Sequence, residues 1–183
     1  VRRQRQMCIR DRRRRAGGFD ALLKAIVAQQ LSVASAAAIW ARVQAAGLTQ
    51  EKRILSTTDT ALSEVGLSRQ KIKYIRALAL ADVDFDALSA ASTEEVVEVL
   101  TQISGIGVWT AEIYALFSLG HQDVFPSGDL ALQEAAKDLF AMNKRPSANA
   151  LKTMAVDWSP WRAVAAHVLW AYYSAIKKRE GIG

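Results

Sequence analysis

The chain is predicted to be all-α, a two-lobed bundle of about ten helices. Three observations carry that prediction. Apolar residues recur at helical spacing almost throughout from Gly17 onward, and strand-like alternation is sustained nowhere. All three prolines, Pro126, Pro146 and Pro160, fall between the periodic segments. At 183 residues the chain is long enough for one domain with two lobes and a real core.

The elements follow in order. Phe19, Leu22, Leu23, Ile26 and Val27 form the first apolar stripe, which breaks at the amide-rich turn Gln29-Gln30-Leu31-Ser32. A second helix is expected over 33–46, stopping at Gly47, a natural C-cap. Short helices are expected over 50–56 and 58–65, then a longer basic one over 68–80 with Arg69, Lys71, Lys73 and Arg76. Residues 82–89 read as a connection with a single turn. Ser92-Thr93-Glu94-Glu95 is a capping box opening a helix that runs to about Gln102. A glycine turn, Ile103-Ser104-Gly105-Ile106-Gly107, then leads into a helix over 108–118 that ends by Gly120. Helices over 130–140, 148–154 and 161–178 complete the set.

The net charge of +6, from 24 basic and 18 acidic residues, is unevenly placed. Residues 1–15 hold eight arginines and one aspartate, or +7, while the rest carries 16 basic and 17 acidic side chains, or −1. Such a tail can be a disordered arm or a nucleic-acid-binding arm. We read residues 1 to about 12 instead as translated adapter, because Met7-Cys8-Ile9-Arg10-Asp11 back-translates to a sequence resembling a transposon end used in library preparation. Residues 1–15 are therefore set apart from a domain over 16–183, and the basicity is not used as a sign of nucleic-acid binding. One cysteine, Cys8, rules out an internal disulfide framework and any cysteine-clustered zinc or iron–sulfur site. No apolar run approaches the ~20 residues of a membrane span, so no membrane partner and a cytoplasmic location are expected.

Two short segments can carry chemistry. Gly105 and Gly107 permit positive φ and leave amides from Gly105 to Trp109 at a helix N-terminus, which suits a phosphate oxygen. A Gly-x-Gly turn alone is an ordinary helix junction; the flanking Leu100, Ile103, Trp109, Thr110, Ala111 and Ile113 give it more weight, since small Thr110 and Ala111 allow close helix approach. Farther on, Phe125-Pro126-Ser127-Gly128-Asp129 places a carboxylate at the mouth of the next helix, where it can serve as an N-cap and where the helix dipole favours negative charge. Asp123 is a rival carboxylate and reads as a structural tie for its loop. His121 and His167 read as surface and helix-face residues, and without a His or Cys cluster no zinc site is expected. Most of the five tryptophans and four tyrosines should be core; Trp109, Tyr114, Trp161 and Trp170 are candidate pocket walls.

Five segments in order, AIVAQQLS at 25–32, GLSRQKIKYI at 66–75, LTQISGIGVWTAEIYAL at 100–116, DVFPSGDLAL at 123–132 and WSPWRAVAAHVLW at 158–170, give a resemblance that covers the chain from Gly17 onward. The chain resembles the helix-hairpin-helix (HhH-GPD) DNA glycosylase superfamily, in particular its DNA-3-methyladenine glycosylase II branch. The resemblance implies two helical lobes flanking a cleft, with the glycine turn as the hairpin. It implies a base-excision enzyme that hydrolyses the N-glycosidic bond of an alkylated purine of the 3-methyladenine or 7-methylguanine type, flipped out of double-stranded DNA. Asp129 would be the catalytic carboxylate, stabilising an oxocarbenium-like sugar and orienting or deprotonating water. Trp109, Ile113, Tyr114, Trp161 and Trp170 would form the base pocket, where aromatic faces suit a cationic base.

The turn at 29–32 would supply the wedge that fills the gap left by the extruded base, through Gln30 or Leu31. Backbone groups of Gly105, Gly107, Val108 and Thr110 would hold DNA phosphate, helped by a few side chains such as Lys71, Lys73 and Arg162. Carbonyls of Thr101, Ile103 and Ile106 would hold a structural Na⁺ or K⁺; no other cofactor is implied, and a monomer is expected. Bifunctional members carry a lysine where this chain has Trp109, so a monofunctional hydrolase without strand cleavage is expected. The four-cysteine cluster of one branch has no counterpart among these residues, and the N-terminal β-rich domain of another branch and the helices that precede Gly17 in relatives are expected to be missing. The alternatives are a non-enzymatic hairpin module that binds DNA or docks a partner, and a glycosylase for oxidised or mismatched purines.

Overall fold

The computed structural model describes residues 17–179, so the basic segment set apart above lies outside the described residues. Among the described residues there are eleven α-helices and no strand. They divide into two compact units, one ending at Leu119 and the other beginning at Gly120.

The first unit opens with α1 (Phe19–Ala28) and α2 (Val33–Ala45). Then come α3 (Glu51–Ser56), α4 (Asp59–Glu64) and α5 (Arg69–Leu80). It closes with α6 (Phe85–Ala90), α7 (Thr93–Thr101) and α8 (Val108–Tyr114). The α1 stripe is buried as its spacing requires, Leu22, Leu23, Ile26 and Val27 being all but inaccessible. It packs on α5, α2 and α8, while α3 and α4 also lie on α5. Burying each such Leu or Ile contributes about 1.5–3 kcal/mol, which outweighs the weak helix propensity of these short segments. Arg76 on α5 donates to Ile54 O at 3.1 Å, Thr57 O at 2.7 Å and Asp59 Oδ1 at 2.5 Å, so one guanidinium satisfies the carbonyl end of α3 and the start of α4.

The second unit contains α9 (Leu130–Leu139), α10 (Ala148–Met154) and α11 (Arg162–Arg179). A 3₁₀ turn, Ala155–Trp158, joins the last two. Leu132, Ala135, Ala136, Leu151, Ala166 and Leu169 are buried, and small alanines let α9 and α11 pack closely. Trp158 meets Phe125 edge-on at 5.3 Å and stacks on Phe140 at 6.2 Å.

Helix starts follow the capping chemistry. Ser32, Thr58, Ser68, Asp84, Ser92, Asp129 and Ser147 each accept a first-turn amide, and Ser92 with Glu95 forms the expected box. Two expectations change. Residues 82–89 are more than a connection: Asp84 accepts from Ala87 N–H at 2.9 Å and Leu88 is buried, which suffices for a six-residue helix too short to show periodicity. The helix expected over 108–118 stays α-helical only to Tyr114 and widens to a π turn over Ala115–Leu119.

Candidate nucleic-acid interface and catalytic carboxylate

In the first unit the hairpin is shaped by one glycine rather than two. Gly105 has φ +97°, and a Cβ added there would clash with Cγ, Cβ and Cδ1 of Tyr74, so both conformation and space require glycine. Gly107 has φ −93° and nothing within 4 Å of an added Cβ, which corrects the expectation of a positive φ at both positions. Its significance lies elsewhere. Gly107 is the N-cap of α8 and brings no capping side chain, and the first intrahelical bond is Ala111 N–H to Gly107 O at 3.0 Å. The amides of Val108 and Thr110 therefore precede the helical ladder at a positive dipole end. Ile106 N–H is committed to Ile103 O at 3.0 Å, which removes it from the run of amides expected to meet phosphate. Val108 and Trp109 are exposed here, whereas Thr110 is buried with Ala111 beneath the turn.

The turn after α1 is joined to this hairpin. Gln29 leaves the helix at φ −53° and ψ 132°, Gln30 adopts φ +56°, and Ser32 starts α2 by accepting from Ser35 N–H. Gln29 Nε2 donates to Gly105 O at 2.8 Å, across 76 residues of sequence. Leu31 stays 38 % exposed, and Gln30 is exposed beside it. Lys71, expected to meet phosphate, instead donates to Val27 O at 2.6 Å, and partial burial lowers the pKa of its ammonium.

Tyr114 and Ile113 complete the candidate residues of this unit. Tyr114 is buried and its hydroxyl accepts from Gly18 N–H at 2.8 Å, so it braces the start of α1; burial raises its pKa, against a smaller opposing effect of that hydrogen bond. Ile113 is half-buried on α8.

In the second unit Asp129 is the N-cap of α9. Its Oδ1 accepts from Ala131 N–H at 2.9 Å and Leu132 N–H at 3.2 Å, and Trp170 Nε1 on α11 donates to the same oxygen at 3.2 Å. The loop ahead of it is fixed by Asp129 N–H to Pro126 O at 2.9 Å and by the buried Gln133, whose Nε2 donates to Ser127 O at 2.9 Å. Gln133 was not singled out by sequence; a glutamine four residues past a cap carries no signal until its buried partner is seen. Trp161, at the turn into α11, is 57 % exposed.

Asp123 is the structural tie expected of it. It accepts from Arg162 Nε at 2.7 Å, Arg162 Nη2 at 2.8 Å and Ser159 Oγ at 2.8 Å. The Arg162 guanidinium, with Ser159 helping, pulls the Asp123 pKa down to about 2. Arg162, expected at phosphate, thus has its guanidinium on Asp123, in the turn that presents Trp161. The candidate residues fall into two groups: the hairpin, the 29–32 turn, Trp109, Ile113 and Tyr114 in one unit, and Asp129, Trp161 and Trp170 in the other. Among the described residues no group of His, Cys, Asp or Glu could hold a metal ion, and no helix is long and apolar enough to cross a membrane.

Comparison with known proteins places these features in context. The model of the HhH-GPD superfamily of base excision DNA repair proteins matches residues 23–161. The chain is 29% identical over 162 residues to the alkylbase DNA glycosidase-like protein mag2 of Schizosaccharomyces pombe, covering 83% of this chain and 76% of that protein. The crystal structure of a DNA-3-methyladenine glycosidase from Bacillus halodurans superposes with a TM-score of 0.82 at 35% identity, covering 90% of this chain and 79% of that one. The Schizosaccharomyces pombe 3-methyladenine DNA glycosylase in complex with abasic DNA superposes with a TM-score of 0.71 at 29% identity, covering 83% and 78%.

Proposed function

The chain belongs to the HhH-GPD superfamily of base excision DNA repair proteins, and from that premise we propose that it is a monofunctional glycosylase for alkylated purines in double-stranded DNA. The observation that carries the reading is the carboxylate of Asp129, fixed at the start of α9 by two backbone amides and the Trp170 indole. A group held that way needs little reorganisation when positive charge develops nearby.

In the proposed reaction a 3- or 7-alkylated purine is extruded from the helix and its sugar faces Asp129. The N-glycosidic bond breaks, and its electron pair leaves with the cationic base, which becomes neutral. Asp129 stabilises the oxocarbenium-like sugar, orients a water toward C1′ and takes its proton. The product is an abasic site. An alkylated purine is already a good leaving group, so no separate general acid is needed. Trp161 and Trp170, in the same unit as Asp129, are proposed as surroundings of the base, through cation–π attraction to the exposed indole of Trp161 above all. Trp109 stands where bifunctional relatives carry lysine, so Schiff-base chemistry and strand cleavage are not expected.

DNA phosphate is proposed to meet the amides of Val108 and Thr110 beside Gly105 and Gly107, with Gln30 or Leu31 entering the duplex. Carbonyls of Thr101, Ile103 and Ile106 are proposed to hold Na⁺ or K⁺. The protein is proposed to act as a monomer in the compartment that holds the genome. The test is release of free base from a duplex containing 7-methylguanine or 3-methyladenine. We expect release without strand nicking by the chain, and a loss of about 100-fold or more in Asp129→Asn. Asparagine caps a helix as well as aspartate, so the variant should stay folded to within about 1 kcal/mol. Equal release by both proteins would remove Asp129 from the mechanism, and none from the unaltered chain would remove the activity.

A further inference from the structure

The 29–31 turn and the hairpin are tied through one face of α5. Lys71 and Tyr74, three residues apart, lie on the same side of that helix. Lys71 donates to Val27 O at the end of α1, and the Tyr74 ring lies against Gly105, where a Cβ would strike it. Gln29 closes the triangle by donating from Nε2 to Gly105 O at 2.8 Å. The turn so held contains a non-glycine residue at φ +56°, a conformation that persists only where surrounding contacts fix it.

We propose that Gln29 is a positioning residue for base extrusion: its side-chain amide locks the 29–31 turn to the hairpin, so that gripping the phosphate and wedging the duplex occur as one rigid event. The proposal rests on the glycosylase reading above. Gln29 itself touches neither base nor sugar. It sets where Gln30 and Leu31 stand when the hairpin has taken hold, and an error of about 1 Å in such placement can cost about 100-fold in rate. The bond is the only link of the Gln29 side chain to the hairpin among the hydrogen bonds described, which makes it separable from the hairpin's own geometry.

The experiment compares the full chain with Gln29→Met, which keeps side-chain length and loses the donor, and with Gln29→Glu. Single-turnover release is measured on two duplexes of one sequence, with 7-methylguanine either paired with cytosine or left unpaired in a bulge. Loss of one hydrogen bond should slow Gln29→Met about tenfold on the paired lesion and less than about twofold on the bulged lesion. Gln29→Glu should lose at least as much as Gln29→Met at pH 7.5, where a carboxylate would face the Gly105 carbonyl, and recover part of the loss near pH 4, where most of a carboxyl with the ordinary pKa of about 4.3 is protonated and again offers a donor. A 2-aminopurine placed at the lesion position reports extrusion without chemistry, and its fluorescence should rise with the unaltered chain and rise less with Gln29→Met at saturating protein. Equal losses on paired and bulged lesions, no loss on either, or identical fluorescence would overturn the role of Gln29. Failure of the unaltered chain to release base, with the fluorescence difference intact, would overturn the glycosylase reading and leave the Gln29 lock standing. If Gln29→Met melts far below the unaltered chain, the pH recovery of Gln29→Glu decides.

Discussion

Trp170 Nε1 lies 3.2 Å from Asp129 Oδ1, and so shares one carboxylate oxygen with the amides of Ala131 and Leu132. Three donors converging on Oδ1 set the plane and direction of the whole carboxylate. The indole adds what capping alone does not, a contact from a second helix that ties α9 to α11 at the acidic residue.

That contact predicts a separable effect. Trp170→Phe keeps an aromatic face and removes the N–H, so kcat for base release should fall about tenfold with KM little changed. Trp170→Ala should impair both. Steady-state kinetics on a 7-methylguanine duplex check this; a normal kcat in Trp170→Phe would reduce Trp170 to a wall.

The two hairpin glycines should respond differently. Gly105→Ala meets the Tyr74 ring at a positive φ and should destabilise the fold by about 2 kcal/mol or more. Gly107→Ser meets nothing and can cap α8, so its stability should hold or rise by a few tenths of a kcal/mol. The same new cap competes for the amides proposed to meet phosphate, so duplex affinity should drop. Urea denaturation and fluorescence anisotropy separate the two effects.

Gln30 should show a trade of stability against activity. At φ +56°, Gln30→Gly relieves a backbone cost of about 1 kcal/mol, partly offset by a freer unfolded chain. The variant should melt at the same temperature or higher, yet release paired lesions more slowly because the turn loses the side chain and its stiffness.

Asp123 predicts a pH signature. Its folded pKa, about 2, lies below the ordinary carboxylate value of 3.8, so the ionised form is favoured in the native state. The associated stability is fully present above about pH 4 and is lost as pH falls through about 2. Asp123→Asn should therefore cost about 1 kcal/mol near neutrality, with the gap closing as the solution approaches pH 2. A gap that stays constant from pH 6 to pH 2.5 would mean the Arg162 contact has no net electrostatic worth.

By itself the sequence determined the helical class, the caps and the two motif segments, because apolar spacing, capping side chains and glycine turns act over a few residues. Ser92 with Glu95 and Asp129 at the start of α9 were legible for that reason. So was Asp123 as a tie, though not its partner. Tertiary structure alone decided that Gln29 reaches Gly105, that Tyr74 fills the space beneath that glycine, and that Trp170 holds Asp129. It also withdrew the positive φ from Gly107 and gave Lys71 and Arg162 partners within the protein. These relationships join residues 31 to 76 positions apart, and no local pattern specifies them. They arise only when packing of buried faces brings distant polar groups together, where each must then find its donor or acceptor.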